Sequence, residues 1–256
     1  TDACSKFNNW GSWVNFTASY DMKGAQKGCV RDQNCVWTKQ NRCDYFDVAR
    51  DNHTEYCYKM NYSYIAECYN RSEYEGMNPT WVKVLALKKF LPLFDYVAWI
   101  DSDAVITNLD KPIESFLLNL DVDLVIPKSP LDKRTGTCHT AVSTGFMVMK
   151  NCDWSLKFLD RLINEAENFI LDDFHEQTVL NKVLKEDGYF DKSNILFEAS
   201  SEKLEYIYES KNLSVLPCRY QVVYEDDPML FIYHAGGDSP NKGAKLKSVL
   251  EKNLNS

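Results

Sequence analysis

Two aspartates separated by a single serine, Asp101 and Asp103, interrupt an otherwise apolar stretch at residues 94–106. Apolar runs of this kind usually lie inside a sheet, where an unpaired carboxylate is costly. A positive side chain, solvent or a metal ion must therefore compensate the two charges. If the strand ends in a turn, the carboxylates converge, and Mg²⁺ or Mn²⁺ would relieve their repulsion. The alternative is a turn in which Asp103 caps the next segment and Asp101 faces water.

A histidine far along the chain is the candidate third ligand. His234 ends an apolar run and is followed by Gly236 and Gly237, which allow a ligand to approach the backbone closely. Lys242 and Lys245 come shortly afterwards, at the predicted start of a helix. Two aspartates, a histidine and these lysines would form a cradle for a diphosphate and its metal. The alternative for His234 is a buried histidine with a structural role.

The predicted elements place the aspartates at the end of a strand. Apolar patterns predict strands at residues 13–19, 54–60, 95–100, 122–127, 144–149, 213–216, 219–224 and 229–234, with another directly after Asp103. Helical spacing predicts helices at 32–50, after Pro79, and at 153–167, 175–185 and 242–253. This alternation predicts an α/β fold with a mixed, mainly parallel sheet flanked by helices. Ligands bind such sheets at the carboxyl ends of the strands.

Composition narrows the class of protein. The chain has 256 residues, of which 45% are apolar and 26% charged, as in an ordinary globular protein. Its net charge of −8 argues against a nucleic-acid partner, which would require clustered cations. No apolar run approaches the roughly 20 residues of a membrane span. None of the nine cysteines lies in a CxxC pair, which argues against a zinc site.

Glycosylation sequons indicate a compartment. Five occur, at Asn15, Asn52, Asn61, Asn70 and Asn212, and they favour a secretory lumen. A glycan on Asn15 would be incompatible with the strand predicted there. The chain begins without Met or a signal-peptide pattern, which suggests that it is processed or trimmed. We therefore expect the Golgi lumen if an N-terminal anchor has been removed, and the cytoplasm otherwise.

Several segments together resemble one family. They are WVKVLALKKF at 81–90, WIDSDAVIT at 99–107, STGFMVMKNCDWSLKFLD at 143–160, HEQTVL at 175–180 and YHAGG at 233–237. In this order and spacing they resemble the galactosyl/mannosyl/xylosyl-transferase family of GT-A glycosyltransferases. That family contains plant xyloglucan xylosyltransferases and yeast α-galactosyl- and α-mannosyltransferases. The STG segment followed by NCDWS is a specific signal, whereas two aspartates one residue apart are common.

The resemblance implies a single GT-A (Rossmann-like) domain over residues 1–256. Its nucleotide-binding half would span about residues 10–107, and the half that completes the acceptor and metal sites about residues 108–256. The activity implied is retaining transfer of galactose, xylose or mannose from a nucleotide-diphosphate donor to a glycan. Mn²⁺, or Mg²⁺, would bridge the donor's phosphates.

The resemblance also implies roles for individual residues. The metal ligands would be Asp101, Asp103 and His234. Glu176 would face the transferred sugar, with Gln177 as a neutral alternative. The residues implied or suggested near the donor are Lys83, Ser102, Thr144, Gly145, Gly236 and Lys242. The alternative for Lys83 is a solvated lysine on an amphipathic helix.

A uracil pocket would need only a backbone contact, an aromatic side chain and an aspartate. Ala18, Tyr20 and Asp44 could supply these groups, so a UDP-sugar is favoured over a GDP-sugar. The same interpretation leaves the identity of the sugar open.

The chain departs from the family pattern at three places. Ser143 stands where the family usually has Asn, His175 stands within the Asp-Asp-Gln segment, and the lysine after His234 is displaced to Lys242. The substitutions at Ser143 and His175 motivate a competing hypothesis, a non-catalytic relative that binds a nucleotide sugar or glycan. A sugar-phosphate nucleotidyltransferase ranks last, because residues 18–31 lack its tight glycine-rich loop.

Overall fold

The computed structural model describes eleven segments of the chain. They are residues 12–16, 45–67, 79–116, 122–129, 140–169, 175–189, 208–209, 213–216, 221–222, 231–235 and 241–254. The helices in these segments are α1 (Phe46–Met60), α2 (Val82–Phe90), α3 (Asp153–Glu165), α4 (His175–Glu186) and α5 (Lys242–Leu254). Within these segments, no helix is both long and apolar enough to cross a membrane.

The strands form two sheets. They are β1 (Ser12–Phe16), β2 (Ser63–Glu67), β3 (Tyr96–Ile100), β4 (Ala104–Ile106), β5 (Leu124–Pro127), β6 (Phe146–Lys150), β7 (Tyr208–Glu209), β8 (Leu213–Leu216), β9 (Gln221–Val222) and β10 (Ile232–His234). The larger sheet has the order β2-β1-β3-β6-β5-β8-β7, and the smaller has the order β4-β10-β9. The chain passes from the larger sheet to the smaller one between β3 and β4, which is where the two aspartates lie.

The larger sheet is mixed. Strand β1 runs parallel to β2 and β3, and β5 runs parallel to β8. Strand β6 runs antiparallel to both of its neighbours, β3 and β5. The mixed α/β fold predicted from the sequence is therefore confirmed. Its parallel share is smaller than the alternation of strands and helices suggested, because β6 enters the sheet in the opposite direction.

Both faces of the central strands are covered, which explains their continuous apolar sequences. On one face, alternate residues such as Val97 and Trp99 pack with apolar residues of α2, α3 and α4. On the other face, Ala98 and Ile100 pack with Tyr56 of α1 and with residues of the smaller sheet. Each strand therefore divides its side chains between two cores, as the period of two in a β-strand requires. Asp101 follows directly after this doubly buried strand.

The strand predicted at residues 54–60 was wrong, whereas the helix predicted at 32–50 is confirmed for residues 46–50. Residues 54–60 belong to α1, which ends at Asn61 in the left-handed conformation (φ 60°), and the strand β2 that follows was not predicted. The buried side of α1 includes Asn52 and His53, so polar residues interrupt the apolar repeat that would have indicated a helix. The predicted helical residues 32–44 lie outside the described segments.

Helix α1 packs against the edge of β4 through those two polar side chains. Asn52 Nδ2 donates to the Ile106 carbonyl (3.0 Å), and Asn52 Oδ1 accepts from the Ile106 amide (2.7 Å). His53 Nε2 bonds the Ala104 carbonyl at 3.0 Å. One asparagine thus makes both bonds that a neighbouring strand would make, and it satisfies backbone groups that would otherwise be buried unpaired. This arrangement holds the strand that starts immediately after Asp103.

Candidate functional site

A tight turn joins β3 to β4 and carries the two aspartates. The Asp101 amide donates to the Gly145 carbonyl (2.9 Å), which ties the end of β3 to the start of β6. The Ala104 amide donates back to the Asp101 carbonyl at 3.1 Å, which closes the turn around Ser102. Both carboxylates consequently lie at the carboxyl end of β3, as the sequence predicted.

Pairing between β4 and β10 places His234 beside the aspartates. His234 lies opposite Ala104 in the antiparallel register, and the Ala235 amide donates to the Asp103 carbonyl (2.9 Å). His234 Nε2 is 2.9 Å from Asp103 Oδ1 and 3.7 Å from Asp101 Oδ2. One potential ligand atom from each of the three residues lies within 4.8 Å of the others. Two carboxylates and an imidazole that converge in this way fit a divalent ion such as Mn²⁺.

The Asp103 carboxylate is surrounded by positive charge. His234 and the ammonium group of Lys242 both contact it, and Lys242 Nζ also lies 5.4 Å from the centroid of the Tyr45 ring. Burial would raise the pKa of Asp103, but these two partners hold that pKa well below its usual range. Burial would lower the pKa of His234, but Asp103 and Asp101 raise it. Metal binding through Nε2 would require that nitrogen to be deprotonated.

Lys83 connects the other aspartate to α4. Its Nζ is 3.0 Å from Asp101 Oδ1, 2.9 Å from Glu176 Oε1 and 3.2 Å from Thr144 Oγ1. The residue is only 5% exposed, so the alternative of a solvated lysine is wrong. Burial would lower the pKa of Lys83, but the two carboxylates raise it above its ordinary value. Trp99 Nε1 donates to Asp101 Oδ1 (2.6 Å) and fixes that carboxylate from a second direction.

Glu176 is buried in the first turn of α4 and carries a charge. Burial would raise its pKa, but the nearby Lys83 ammonium lowers it below the ordinary value. Thr144 Oγ1 donates to Glu176 Oε1 at 3.0 Å, so the lysine and the hydroxyl both bond the same carboxylate oxygen. The predicted candidate carboxylate is therefore ionised and lies within one hydrogen-bonded group that also contains Asp101.

The neighbouring polar side chains of α4 hold residues 140–145. Gln177 Oε1 accepts from the Thr144 amide (3.0 Å), while its Nε2 donates to Thr140 Oγ1 (2.7 Å). One turn later, Asn181 Oδ1 accepts from the amides of Ala141 (2.8 Å) and Val142 (2.9 Å). Sequence reasoning missed Thr140 and Asn181. The signal that could have found Asn181 is its position four residues after Gln177, which places both side chains on one face of the helix.

The structure brings most of the predicted site residues to one place. Around the β3–β4 turn lie Lys83, Asp101, Ser102, Asp103, Thr144, Gly145, Glu176, Gln177, His234 and Lys242. The other four predicted residues, Ala18, Tyr20, Asp44 and Gly236, lie outside the described segments. Lys245 is exposed on α5. His175 begins α4 with φ at 43°, and both of its ring nitrogens are buried without a hydrogen-bond partner among the described residues.

Comparisons with known proteins find similarity to glycosyltransferases. The model of the galactosyl transferase GMA12/MNN10 family matches residues 29–136. Galactomannan galactosyltransferase 1 of Cyamopsis tetragonoloba is 27% identical over an alignment of 231 residues, and the match covers 79% of this chain and 51% of the relative. Probable glycosyltransferase 3 of Oryza sativa subsp. indica is 34% identical over an alignment of 84 residues, and the match covers 31% of this chain and 18% of the relative.

A solved structure covers nearly the whole chain. It is a glycosyltransferase involved in the glycosylation of the major capsid of PBCV-1, with a TM-score of 0.58 and 15% identity over 94% of this chain and 98% of that one. The chain has the GT-A fold. The family model and the Cyamopsis relative support the predicted resemblance to a GT-A glycosyltransferase. The chain spans about half the length (51%) of the Cyamopsis relative.

Proposed function

We propose that this chain is a metal-dependent, retaining glycosyltransferase. It would move galactose, xylose or mannose from a nucleotide-diphosphate donor, with a UDP-sugar favoured, to a glycan acceptor. The observation that carries the proposal is the convergence of Asp101, Asp103 and His234 within 4.8 Å at the carboxyl end of β3. The match to a galactosyl transferase family and the GT-A fold support the class of reaction.

The outer part of the site would hold the donor's diphosphate. Asp101, Asp103 and His234 would hold the ion, which when bound stabilises the negative charge of the leaving diphosphate. Lys242 contacts Asp103 and would add a second positive charge there. Residues before about 108 would then form the nucleotide-binding half, and later residues would complete the metal and acceptor sites.

The inner part of the site would face the sugar. Positive charge develops on the sugar ring as the diphosphate leaves, and an ionised carboxylate stabilises it. Glu176 is buried and ionised, whereas both ends of the Gln177 amide already bond Thr144 and Thr140. Glu176 is therefore the better candidate for this role. Retention requires either a covalent nucleophile or attack on the same face of a short-lived ion pair, and Glu176 could serve in either route.

The test is an Asp103→Ala variant assayed with UDP-galactose, UDP-xylose and GDP-mannose in the presence of Mn²⁺. Donor hydrolysis, transfer to a glycan and Mn²⁺-dependent nucleotide binding should all be lost together, because one ligand of the ion is removed. The matched control is Asp110→Ala, whose side chain is 83% exposed and pairs with Lys59 at the surface. It should behave as wild type, since such pairs contribute little. Wild-type transfer by Asp103→Ala would contradict the metal site.

The same donor panel tests the non-catalytic alternative. Ser143 and His175 depart from the family pattern, and His175 begins α4 with unpaired ring nitrogens. Nucleotide binding by the wild-type chain, without hydrolysis or transfer of any donor, would favour a protein that only binds nucleotide sugars. NMR of the product anomer from an active donor would decide between retention and inversion.

A further inference from the structure

The ammonium group of Lys83 is fully occupied within the protein. A lysine ammonium has three N–H donors. Lys83 Nζ has three partners on different parts of the fold: Asp101 Oδ1 at 3.0 Å, Glu176 Oε1 at 2.9 Å and Thr144 Oγ1 at 3.2 Å. The Trp99 ring lies beside the same nitrogen, with its centroid at 5.8 Å. A bound phosphate could reach Lys83 only by displacing one of these partners.

We propose that Lys83 is a positioning residue that ties Glu176 to Asp101, and that it does not bind the donor's diphosphate. This inference rests on the proposed glycosyl transfer, and it changes the role that the family resemblance implied for Lys83. One carboxylate lies at the end of β3 and the other in the first turn of α4, and the lysine reaches both from α2. The side chain that would face the sugar is thus fixed relative to a side chain that would hold the metal.

Loss of the ammonium group should displace Glu176 more than Asp101. Without it, the buried carboxylate of Glu176 and the partly exposed carboxylate of Asp101 would repel each other. Asp101 would keep the hydrogen bond from Trp99 Nε1 (2.6 Å), and its backbone would stay bonded to Gly145. Glu176 would keep the bonds from Thr144 Oγ1 and from the Thr80 side chain, but no positive partner among those described above. Turnover should therefore fall because the carboxylate beside the sugar is misplaced, while the metal ligands stay near their positions.

The change in Mn²⁺ affinity on removal of Lys83 distinguishes a positioning role of this lysine from donor binding and from a loss of structure. The Lys83 cation contacts Asp101, so it competes electrostatically with a divalent ion at the same carboxylate. Its removal should make Mn²⁺ bind more tightly to the nucleotide-free protein. A lysine that contacts the diphosphate would instead weaken binding of UDP with Mn²⁺ when removed. General damage to the fold would weaken the binding of both ligands.

The experiment compares Lys83→Met, Glu176→Gln and the double variant with wild type. Calorimetry gives the affinities for Mn²⁺ alone and for UDP with Mn²⁺, and steady-state kinetics gives kcat and KM for the donor. In Lys83→Met we expect kcat to fall about 100-fold, the effect of a small misplacement of a catalytic group. We expect KM and the UDP affinity to change less than about 3-fold, and Mn²⁺ affinity to rise about 3-fold or more.

If Lys83→Met fails to fold, the double variant still tests the inference. It loses one positive and one negative charge together, so Asp101, Lys83 and Glu176 keep the net charge of −1 that they carry in wild type. Because Lys83 acts through Glu176, the double variant should have the kcat of Glu176→Gln alone. The matched control is Lys88→Met, a lysine on the same helix that is 49% exposed and pairs with Asp160. It should change none of these quantities.

Two results would overturn the inference. One is a loss of UDP affinity of about tenfold or more in Lys83→Met with kcat retained, which would make Lys83 a donor contact. The other is a double variant in which the fold-decrease of kcat equals the product of the fold-decreases in the two single variants. Absence of transfer by the wild-type chain would instead overturn the proposed function. In that case, weaker Mn²⁺ binding by a folded Lys83→Met variant would still contradict the inference about Lys83.

Discussion

The two aspartates of the β3–β4 turn have different surroundings, although only Ser102 separates them. Asp101 contacts Lys83, whose second partner is Glu176, and the side chains of that lysine and glutamate are 6% and 4% exposed. Asp103 faces His234 and Lys242, and the side chains of Lys242 and Asp103 are 16% and 15% exposed. The inner lysine is surrounded by protein groups, whereas the outer one lies at the edge of the site. This difference is the basis of the division of roles proposed above, in which the inner lysine would position side chains and the outer lysine would meet the donor.

Stability should show the largest contrast between the two lysines. Lys83→Met leaves the buried Glu176 carboxylate without its cation, and breaking a buried pair in this way costs about 3–5 kcal/mol of unfolding free energy. Lys242→Met should cost roughly 1 kcal/mol, because Asp103 keeps its contact with His234. Urea denaturation monitored by tryptophan fluorescence measures both values. Equal losses in the two variants would remove the distinction between the inner and the outer lysine.

The pH dependence of stability tests the support of β4, the strand that begins directly after Asp103. His53 bonds the carbonyl of Ala104, the residue after Asp103, and burial lowers the pKa of His53 from 6.5 to about 4. The folded state therefore keeps His53 neutral, while the unfolded state takes up a proton below pH 6.5. Stability from this group is complete above pH 6.5 and is lost as the pH falls towards 4, by about 3 kcal/mol in total.

A His53→Gln variant isolates that contribution, because glutamine can donate a hydrogen bond and does not titrate. The difference in unfolding free energy between wild type and the variant should change across pH 6.5 to 4 and stay constant above pH 7. Parallel curves for the two proteins would contradict the assignment to His53.

Donor affinity should show the smallest of these effects. We expect it in the Lys242 variant, whereas the stability loss is largest in the Lys83 variant. Lys242→Met should weaken binding of UDP with Mn²⁺ about tenfold, because a charge-assisted hydrogen bond to the diphosphate is lost. The donor KM should rise correspondingly with kcat less affected. Calorimetry on Lys242→Met and Lys83→Met under the same conditions gives the comparison directly. Unchanged UDP affinity in Lys242→Met would leave the outer lysine without a role in donor binding.

The sequence predicted the metal-ligating candidates better than the residues that support them. Asp101, Asp103 and His234 were found because their types are rare at the ends of apolar strands and suit one kind of ion. Asn52 and His53 were missed, because a polar residue that bonds the backbone of a distant strand leaves no periodic signal. The same two residues interrupt the apolar repeat of α1, so the sequence suggested a strand where the structure has the end of a helix.

Residue type and spacing by themselves determined the α/β class, most of the strands and helices, and the aspartate pair at the end of β3. These properties depend on neighbours along the chain, whose side chains alternate or repeat with the period of the element. Only the tertiary structure decided that Lys83 is buried while Lys88, on the same helix, is exposed. The three lysines of WVKVLALKKF are equivalent until α4 brings Glu176 against one of them. Residue type gives the charge of a side chain, but packing between distant segments decides which residue pairs with it.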